Sequence, residues 1–183
     1  KLQSSTLLQP AAEHLYQLRQ QWQQRSQQPA TEPLPAIGLA LIQQAPDVVM
    51  SDPAQPRVSS AYISPEAATM LGMPLQLGAG FNQAHQLQQK NPGVLLSYQA
   101  WQLLFQQRPD VLQQRLQING VSHPVLGVLA ADFVPPQLNP ALPAPDLWLP
   151  WDFNNGDFKG SWHFPDVSTT VLLKGTTAQL DRW

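Results

Sequence analysis

Apolar residues occur along this chain in short runs, separated by stretches rich in proline, glycine and side-chain amides. Ile37–Ile42 and Asp47–Met50 are two short apolar pieces, which predict either two strands or a helix followed by a strand. Arg57–Ile63 alternates weakly and predicts a strand, and Val167–Leu173 predicts another near the end of the chain. The pattern therefore favours many short elements over a few long helices.

The first 35 residues are rich in glutamine and leave two alternatives open. Leu15, Leu18 and Trp22 fit the spacing of a helix, whereas Tyr16, Leu18 and Trp22 fit the alternation of a strand. Residues 28–35 contain three prolines and predict a loop.

One predicted helix has sequence signals at both its start and its end. Ser64, Pro65 and Glu66 supply a capping serine, a proline at the first helical position and an acid in the first turn. Gly72 is a favoured residue just past the end of a helix. The residues expected on this helix are Ala67, Ala68, Met70 and Leu71.

A second helix is predicted to begin after Ser97, which would cap it. Trp101, Leu104 and Phe105 follow at helical spacing and predict a buried stripe. Pro109-Asp110 predicts a further short helical turn, and Thr177 is expected to cap a helix near the end of the chain.

The strongest local signal is Asn119-Gly120, because this pair tolerates positive φ at both positions of a type I′ turn. It predicts a tight hairpin in which Leu116 and Ile118 face the same side as Val121 and His123. The returning strand, Val125–Leu129, begins after Pro124, which favours a sheet edge or a bend there. Short strands mixed with capped helices predict an α+β fold.

Composition narrows the class of protein. Hydrophobic residues make up 43% of the 183 residues and charged residues 12%, with 19 Pro and 10 Gly. The net charge is -2, and no basic run is present, which argues against nucleic acid as a partner. No apolar run approaches the roughly 18–20 residues that cross a bilayer, so we expect the chain as written to be soluble. It begins without a methionine and has no obvious terminal tail, so we expect it to be cut from a longer protein.

The sequence offers little support for catalysis or for a bound cofactor. Cysteine is absent, which excludes disulfides, iron–sulfur clusters and thiol nucleophiles. The four histidines are never four residues apart, and residues 152–157 only faintly resemble a calcium loop, with His163 where a glutamate ligand would stand. We therefore predict no catalytic, cofactor-binding or metal-binding residue.

Aromatic residues are concentrated near the end of the chain. Six of them lie within seventeen residues: Trp148, Trp151, Phe153, Phe158, Trp162 and Phe164. They can cover the core beneath a long loop, or they can form a contact surface for a partner or ligand. The candidate contact residues are Trp151, Phe153, Phe158 and Trp162.

An ordered series of motifs resembles the MacB-type periplasmic core domains of FtsX/MacB-like ABC transporter permeases. YISPEAATMLGM at residues 62–73, continued by LGAGF at 77–81, is similar to the family stretch VSPxFFxxLGVxPxLGRxF. VLLSYQAW at 94–101 is similar to VVLSYxLWQRRF. Shorter matches follow in order at 109–112, 116–120, 125–128, 132–133 and 146–150. Ala79-Gly80 replaces the Gly-Arg that the family usually has before Phe81. Residues 113–115 replace a second Gly-Arg, which usually follows Val111.

The resemblance implies a porter-like α/β subdomain formed by residues 1–85 and 152–183, with a smaller mixed α/β subdomain inserted at 86–151. It implies a position on the extracytoplasmic face of the bacterial inner membrane, between transmembrane helices before Lys1 and after Trp183. The partners it implies are an ABC ATPase subunit or domain, a second permease copy in a homodimer, and a periplasmic adaptor or cargo. No catalytic residue is carried over from the family.

Two functional hypotheses follow. In the first, the domain is a rigid body that relays ATP-driven movement of transmembrane helices to the export or extraction of a substrate. The core expected for that body comprises Leu71, Trp101, Leu104, Phe105, Ile118, Val125 and Val128. In the second, it is a ligand- or peptide-binding periplasmic module that uses the aromatic cluster at residues 148–164.

Overall fold

A computed structural model describes residues 38–81, 93–136, 141–150 and 168–174. Within these ranges the chain forms eight strands, two α-helices and a 3-10 turn at Val111–Gln113. The strands are β1 (Gly38–Val48), β2 (Arg57–Ile63), β3 (Leu75–Gly78), β4 (Val94–Leu96), β5 (Arg115–Ile118), β6 (Val121–Leu129), β7 (Leu147–Pro150) and β8 (Ser168–Lys174). The helices are α1 (Pro65–Leu71) and α2 (Tyr98–Phe105).

The strands form one mixed sheet in the order β3-β6-β4-β7-β2-β1-β8, and β5 pairs with the first part of β6. The β2–β7 and β4–β6 pairs are parallel, and the other pairs are antiparallel. This combination of a mixed sheet with a few helices confirms the α+β prediction.

The sheet also returns on itself at one corner. Val49, directly after β1, forms an antiparallel bridge with Ile118 of β5. Because β5 pairs with β6, and β6 leads through β4, β7 and β2 back to β1, these six strands are linked in a closed circuit. The circuit fixes β5 at both sides, which limits how far the β5–β6 hairpin can move away from β1.

Side chains pack on both faces of the sheet. In β7, Leu147 and Leu149 join one apolar cluster and Trp148 joins the other, because successive strand residues point to opposite faces. The first cluster contains Val49, Val58, Val94, Leu96, Ala100, Val111, Leu116, Ile118, Val125, Val128, Leu147 and Leu149. The second contains Ala40, Ile42, Ala61, Ile63, Ala67, Leu95, Leu129 and Trp148.

β1 corrects the prediction of two separate apolar pieces. It is one strand of eleven residues, and its polar middle is buried: Gln43, Gln44 and Asp47 are covered by neighbouring elements. The sequence pattern was misleading because Gln43 and Gln44, between the two predicted pieces, look like a solvent-exposed break. Inside the structure the side chains of Gln44 and Asp47 find hydrogen-bond partners, so the strand continues through this polar stretch.

The predicted α1 has the expected residues at each end but not the expected cap. Gly72 has a φ of 58° and ends the helix as predicted. Ser64 occupies the cap position, yet its hydroxyl makes no capping bond. That Oγ instead accepts the backbone N–H of Leu41 in β1 at 3.0 Å, so the serine joins the helix start to the sheet.

The prediction for α2 is confirmed at its start and corrected along its buried face. Ser97 Oγ accepts the backbone N–H of Ala100 at 3.0 Å, which is the expected cap. Ala100 is the fully buried residue of this helix, whereas Trp101, Leu104 and Phe105 are only partly buried against the first apolar cluster. The small side chain lets α2 approach the sheet closely, so the larger residues lie at its flanks.

The hairpin prediction is confirmed in its register. Asn119 and Gly120 both have positive φ, at 48° and 85°, and Leu116 pairs with His123 while Ile118 pairs with Val121. β6 already begins at Val121, four residues before the predicted Val125, and Pro124 lies where β6 passes from β5 to its pairing with β4.

Several predictions lie outside the described residues. They are the alternatives for residues 1–35 and the helix capped by Thr177. The division into subdomains at residues 85–86 and 151–152 stays a prediction, and strands from both sides of these boundaries pair within one sheet.

Candidate functional site

The candidate contact residues Trp151, Phe153, Phe158 and Trp162 lie outside the described residues. Trp148, where the aromatic run begins, is described and belongs to the core. Its side chain is fully buried and meets Phe133 edge to face, with ring centroids 6.1 Å apart. The aromatic run therefore starts in the interior, and a surface role is left only for its later members.

The indole N–H of Trp148 is buried and has no hydrogen-bond partner among the described residues. Leaving such a donor unpaired in the interior costs about 1–3 kcal/mol. The tryptophan is nevertheless held by the apolar cluster around it, so its contribution here is packing.

A polar cluster lies where β1 meets the hairpin. Asp47 is 6% exposed and accepts two short hydrogen bonds, each of 2.6 Å. One comes from the hydroxyl of Tyr62 in β2 and the other from the side-chain amide of Asn119 in the hairpin turn. Three elements that are distant in sequence therefore meet at one carboxyl group.

The Tyr62 phenol is held in its protonated form in this cluster. Burial of the ring is the largest cause that raises its pKa, and the neighbouring Asp47 charge and hydrogen bond raise the pKa further. The hydroxyl is therefore a permanent donor to Asp47 at physiological pH.

The backbone reinforces the same contact. Asn119 N donates to Val48 O, and Asn119 Oδ1 accepts from Val48 N, both at 3.3 Å. Two residues away on each side of this contact, Met50 N donates to Gln117 O at 2.7 Å. The turn of the hairpin is thus attached to the end of β1 by both side-chain and backbone bonds.

A second polar cluster ties residues 143–146 to β1 and β2. Gln44 Nε2 donates to Ser59 Oγ at 2.9 Å and to Pro143 O at 2.7 Å. Asp146 Oδ2 accepts the backbone N–H of Ser59 at 2.9 Å. Partial burial raises the pKa of Asp146, and the bond from Ser59 opposes that rise.

An open cavity of about 210 Å³ lies between α2 and the β1–β2 loop. Its lining is Asp52, Ala54, Pro56, Arg57, Val58, Ala100, Leu103, Leu104 and Asp146. Leu103 projects from the rim with 71% exposure. The described residues that line the cavity include two carboxyl groups, of Asp52 and Asp146, but no serine, threonine, lysine or histidine.

Two further observations describe the part of the chain that the structure covers. No group of three His, Asp or Glu side chains is placed to hold a metal ion within it. No helix in it is long and apolar enough to cross a membrane.

The chain matches a family model described as MacB-like periplasmic core domain over residues 3–180. Its structure is similar to the extracellular domain of the noncanonic ABC-type transporter YknZ from Gram-positive bacteria, at 16% identity and a TM-score of 0.57, over 79% of this chain and 67% of that chain. It is also similar to a domain of a permease protein from Porphyromonas gingivalis, at 18% identity and a TM-score of 0.51, over 82% of this chain and 69% of that chain.

The periplasmic region of MacB from Actinobacillus actinomycetemcomitans aligns with a lower TM-score of 0.46, at 14% identity, over 81% of this chain and 75% of that chain. No curated protein matches the chain. The two similarities with TM-scores above 0.5 show that the mixed sheet described above is a known fold.

Proposed function

Because the chain belongs to the family of MacB-like periplasmic core domains, we propose that it is the extracytoplasmic part of an ABC transporter permease. In this proposal ATP is hydrolysed by a partner ATPase, transmembrane helices shift, and this domain relays their movement to the export or extraction of a substrate. The domain itself performs no chemical step. The observation that carries the proposal is the family match, which spans nearly the whole chain.

A relay requires a body that moves without deforming, and the packing supports this. The two apolar clusters lie on opposite faces of one sheet and share β2, β4, β6 and β7. Bending the sheet would open contacts on one face and compress them on the other. Truncating a buried residue of this kind to alanine costs about 2–5 kcal/mol, so the packed sheet resists such deformation.

The position of β1 beside β8 also supports a relay. Gly38, the first residue of β1, pairs with Lys174, the last residue of β8. The segments before β1 and after β8 therefore join the sheet at neighbouring points. Movement brought in by these segments would act on a single pair of hydrogen-bonded strands.

A cysteine at position 134 tests the location and the movement, because the chain contains no cysteine and Val134 is 84% exposed. In cells that make the full-length protein with Val134→Cys, we expect a membrane-impermeant maleimide to label this thiol without lysis. In the purified transporter, spin labels at this position in two copies should change their separation when ATP is added. A partner ATPase that binds but cannot hydrolyse ATP is the control for turnover.

Labelling only after lysis would contradict the proposed location. An unchanged separation through the whole ATP cycle would contradict the relay, even if the location were correct.

We further propose that Trp151, Phe153, Phe158 and Trp162 contact an adaptor or cargo protein. Trp148→Ala is the matched control, because this tryptophan belongs to the core. We expect Trp148→Ala to lower the free energy of unfolding by about 3–5 kcal/mol. Trp151→Ala and Trp162→Ala should instead weaken binding of the purified partner in calorimetric titrations. If both lowered stability as much as Trp148→Ala and left binding unchanged, these residues would be core.

A further inference from the structure

The β5–β6 hairpin is attached to the far end of β1 by backbone bonds and, at its turn, by one buried carboxyl group, that of Asp47. We propose that Asp47 is a positioning residue that couples the hairpin to β1, so that a displacement of β1 is passed to the hairpin. The inference rests on the proposed relay function, because it names the path by which movement crosses the domain. It implies that the hairpin moves together with β1.

β1 is suited to carry such a displacement. It runs without interruption from Gly38, beside the last residue of β8, to Val48, beside the hairpin turn. Eleven residues of extended strand span about 35 Å. One end of β1 thus lies where the segments before β1 and after β8 join the sheet, and the other end lies against Asn119.

The side-chain bond is the strong part of the attachment at the turn. Asn119 Nδ2 lies 2.6 Å from Asp47 Oδ1, whereas the two bonds between Asn119 and Val48 are both 3.3 Å long. A donor that meets a buried carboxylate forms a shorter and stronger bond than a neutral pair does. Without it, Asn119 would keep only the two long bonds to Val48, and β5 would still be joined to the chain after β1 by the bond from Met50 N to Gln117 O.

Tyr62 holds the other side of the carboxyl group. Its hydroxyl donates to Asp47 Oδ2 at 2.6 Å, and it lies on β2, which pairs with β1 along its length. This bond fixes Asp47 within the β1–β2 pair and does not touch the hairpin. The two bonds on Asp47 are therefore equal in length, but only one of them reaches the hairpin. Removing each bond separately gives two variants that can be compared.

Asn119→Gly removes both side-chain bonds of the turn, the amide that donates to Asp47 and the oxygen that accepts from Val48 N. It keeps a residue that accepts the positive φ of the turn. Tyr62→Phe removes the other bond and leaves the hairpin contact intact. We expect amide hydrogen exchange in residues 117–122 to become roughly tenfold faster in Asn119→Gly and to stay within about twofold of the wild type in Tyr62→Phe. Equal acceleration in both variants would mean general loosening and would overturn the inference.

A disulfide between positions 49 and 118 should restore the attachment of the hairpin. Val49 and Ile118 are bridge partners, and such partners lie at a Cα separation that a disulfide can span. In the Asn119→Gly background, Val49→Cys with Ile118→Cys should restore slow exchange when oxidised and lose it again in reductant. If the oxidised form exchanged as fast as the reduced form, the attachment at this corner would not control the hairpin.

Coupling itself is tested in the full-length transporter with its ATPase. Spin labels at Val121→Cys report the hairpin, since Val121 is 44% exposed, and labels at Val134→Cys report the rest of the domain. Asn119→Gly should abolish most of the ATP-dependent change at position 121 and keep the change at 134, whereas Tyr62→Phe should keep both. An unchanged response at 121 in Asn119→Gly would overturn the coupling.

Failure of the relay would be seen separately. If wild-type labels at position 134 did not respond to ATP, the proposed function would be wrong, while the exchange measurements would still decide whether Asp47 fastens the hairpin.

Discussion

Two serines that precede helices form different hydrogen bonds in this domain. Ser64 and Ser97 each precede a helix, and each hydroxyl accepts one backbone N–H at 3.0 Å. Ser97 accepts from its own helix, whereas Ser64 accepts from Leu41 in the neighbouring strand, where both partners are buried. The local sequence specifies the helix start in both cases, but the tertiary contact decides what each hydroxyl binds.

This difference predicts different costs of removal. Ser64→Ala leaves the N–H of Leu41 buried without its acceptor, so we expect a loss of about 2–3 kcal/mol in the free energy of unfolding. Ser97→Ala exposes a helix end and should cost about 1 kcal/mol. Chemical denaturation of both variants compares them directly. A cost for Ser97→Ala that exceeds that for Ser64→Ala would contradict this assignment.

Asp146 predicts a pH dependence of stability. Burial raises its pKa, so the folded state favours the protonated acid, and stability is full below the ordinary pKa and falls as pH rises through the raised value. Asp146→Asn removes the charge, and its side-chain oxygen can still accept from Ser59. We expect the variant to be at least as stable as the wild type at about pH 7 and to lose less stability as pH rises from the acidic range.

Denaturant midpoints measured across this pH range test that expectation. A variant that is less stable than the wild type near neutrality, or that keeps the same slope with pH, would contradict it.

At the scale of elements, close strand pairing depends on a glycine. Gly127 of β6 pairs with Gly78 of β3 on one side and Leu95 of β4 on the other. A Cβ at Gly127 would lie 2.8 Å from Leu77 O and 2.9 Å from Ala79 O. Both are backbone atoms, which cannot move away by a side-chain rotation. The spacing of these three strands therefore leaves no room for a side chain.

Gly127→Ala should consequently lower the free energy of unfolding by about 3 kcal/mol through overpacking. Gly72 provides the matched control, because a Cβ there would meet nothing within 4 Å and only its φ of +58° opposes substitution. Gly72→Ala should cost about 1 kcal/mol. Thermal and denaturant unfolding of the two variants gives the comparison, and equal costs would show that β3 can shift to admit a methyl group.

The sequence predicted the elements that have strong local signals. Asn119-Gly120 defined the hairpin register, and Ser64 with Gly72 defined α1, because positive φ and capping are properties of a few adjacent residues. β3, β4 and β7 were not predicted as strands, since each has only three or four residues and such short segments fit several structures.

Long-range contacts were beyond sequence reasoning. Asp47 lies 15 residues from Tyr62 and 72 from Asn119, so no local pattern indicates that they meet. The order of the strands places β7, late in the chain, between β4 and β2, which the pattern of apolar residues does not specify. The sequence signal nearest to the cluster is the acidic residue Asp47 at the start of the predicted piece Asp47–Met50, and it does not identify the partners of that residue.

At the scale of the whole molecule, the closed circuit of six strands predicts cooperative unfolding. The circuit joins β1, β2, β7, β4, β6 and β5, and four of these strands, β2, β4, β6 and β7, contribute to the apolar clusters on both faces. Removing any of these four strands would expose both clusters at once. We therefore expect tryptophan fluorescence and far-ultraviolet circular dichroism to give coincident denaturation curves, whereas two separate transitions would contradict a single core.

The adjacency of Gly38 and Lys174 also determines how the domain responds to being pulled. Antiparallel strands that are drawn apart from the same end unzip, breaking one hydrogen-bonded pair at a time, whereas strands loaded from opposite ends shear and break many pairs together. Tension between these two residues should peel β8 from β1 at low force, and optical tweezers attached at positions 38 and 174 would record it. The domain would thus unfold at low force when the segments before β1 and after β8 are pulled apart. It would stay folded when these two segments move together.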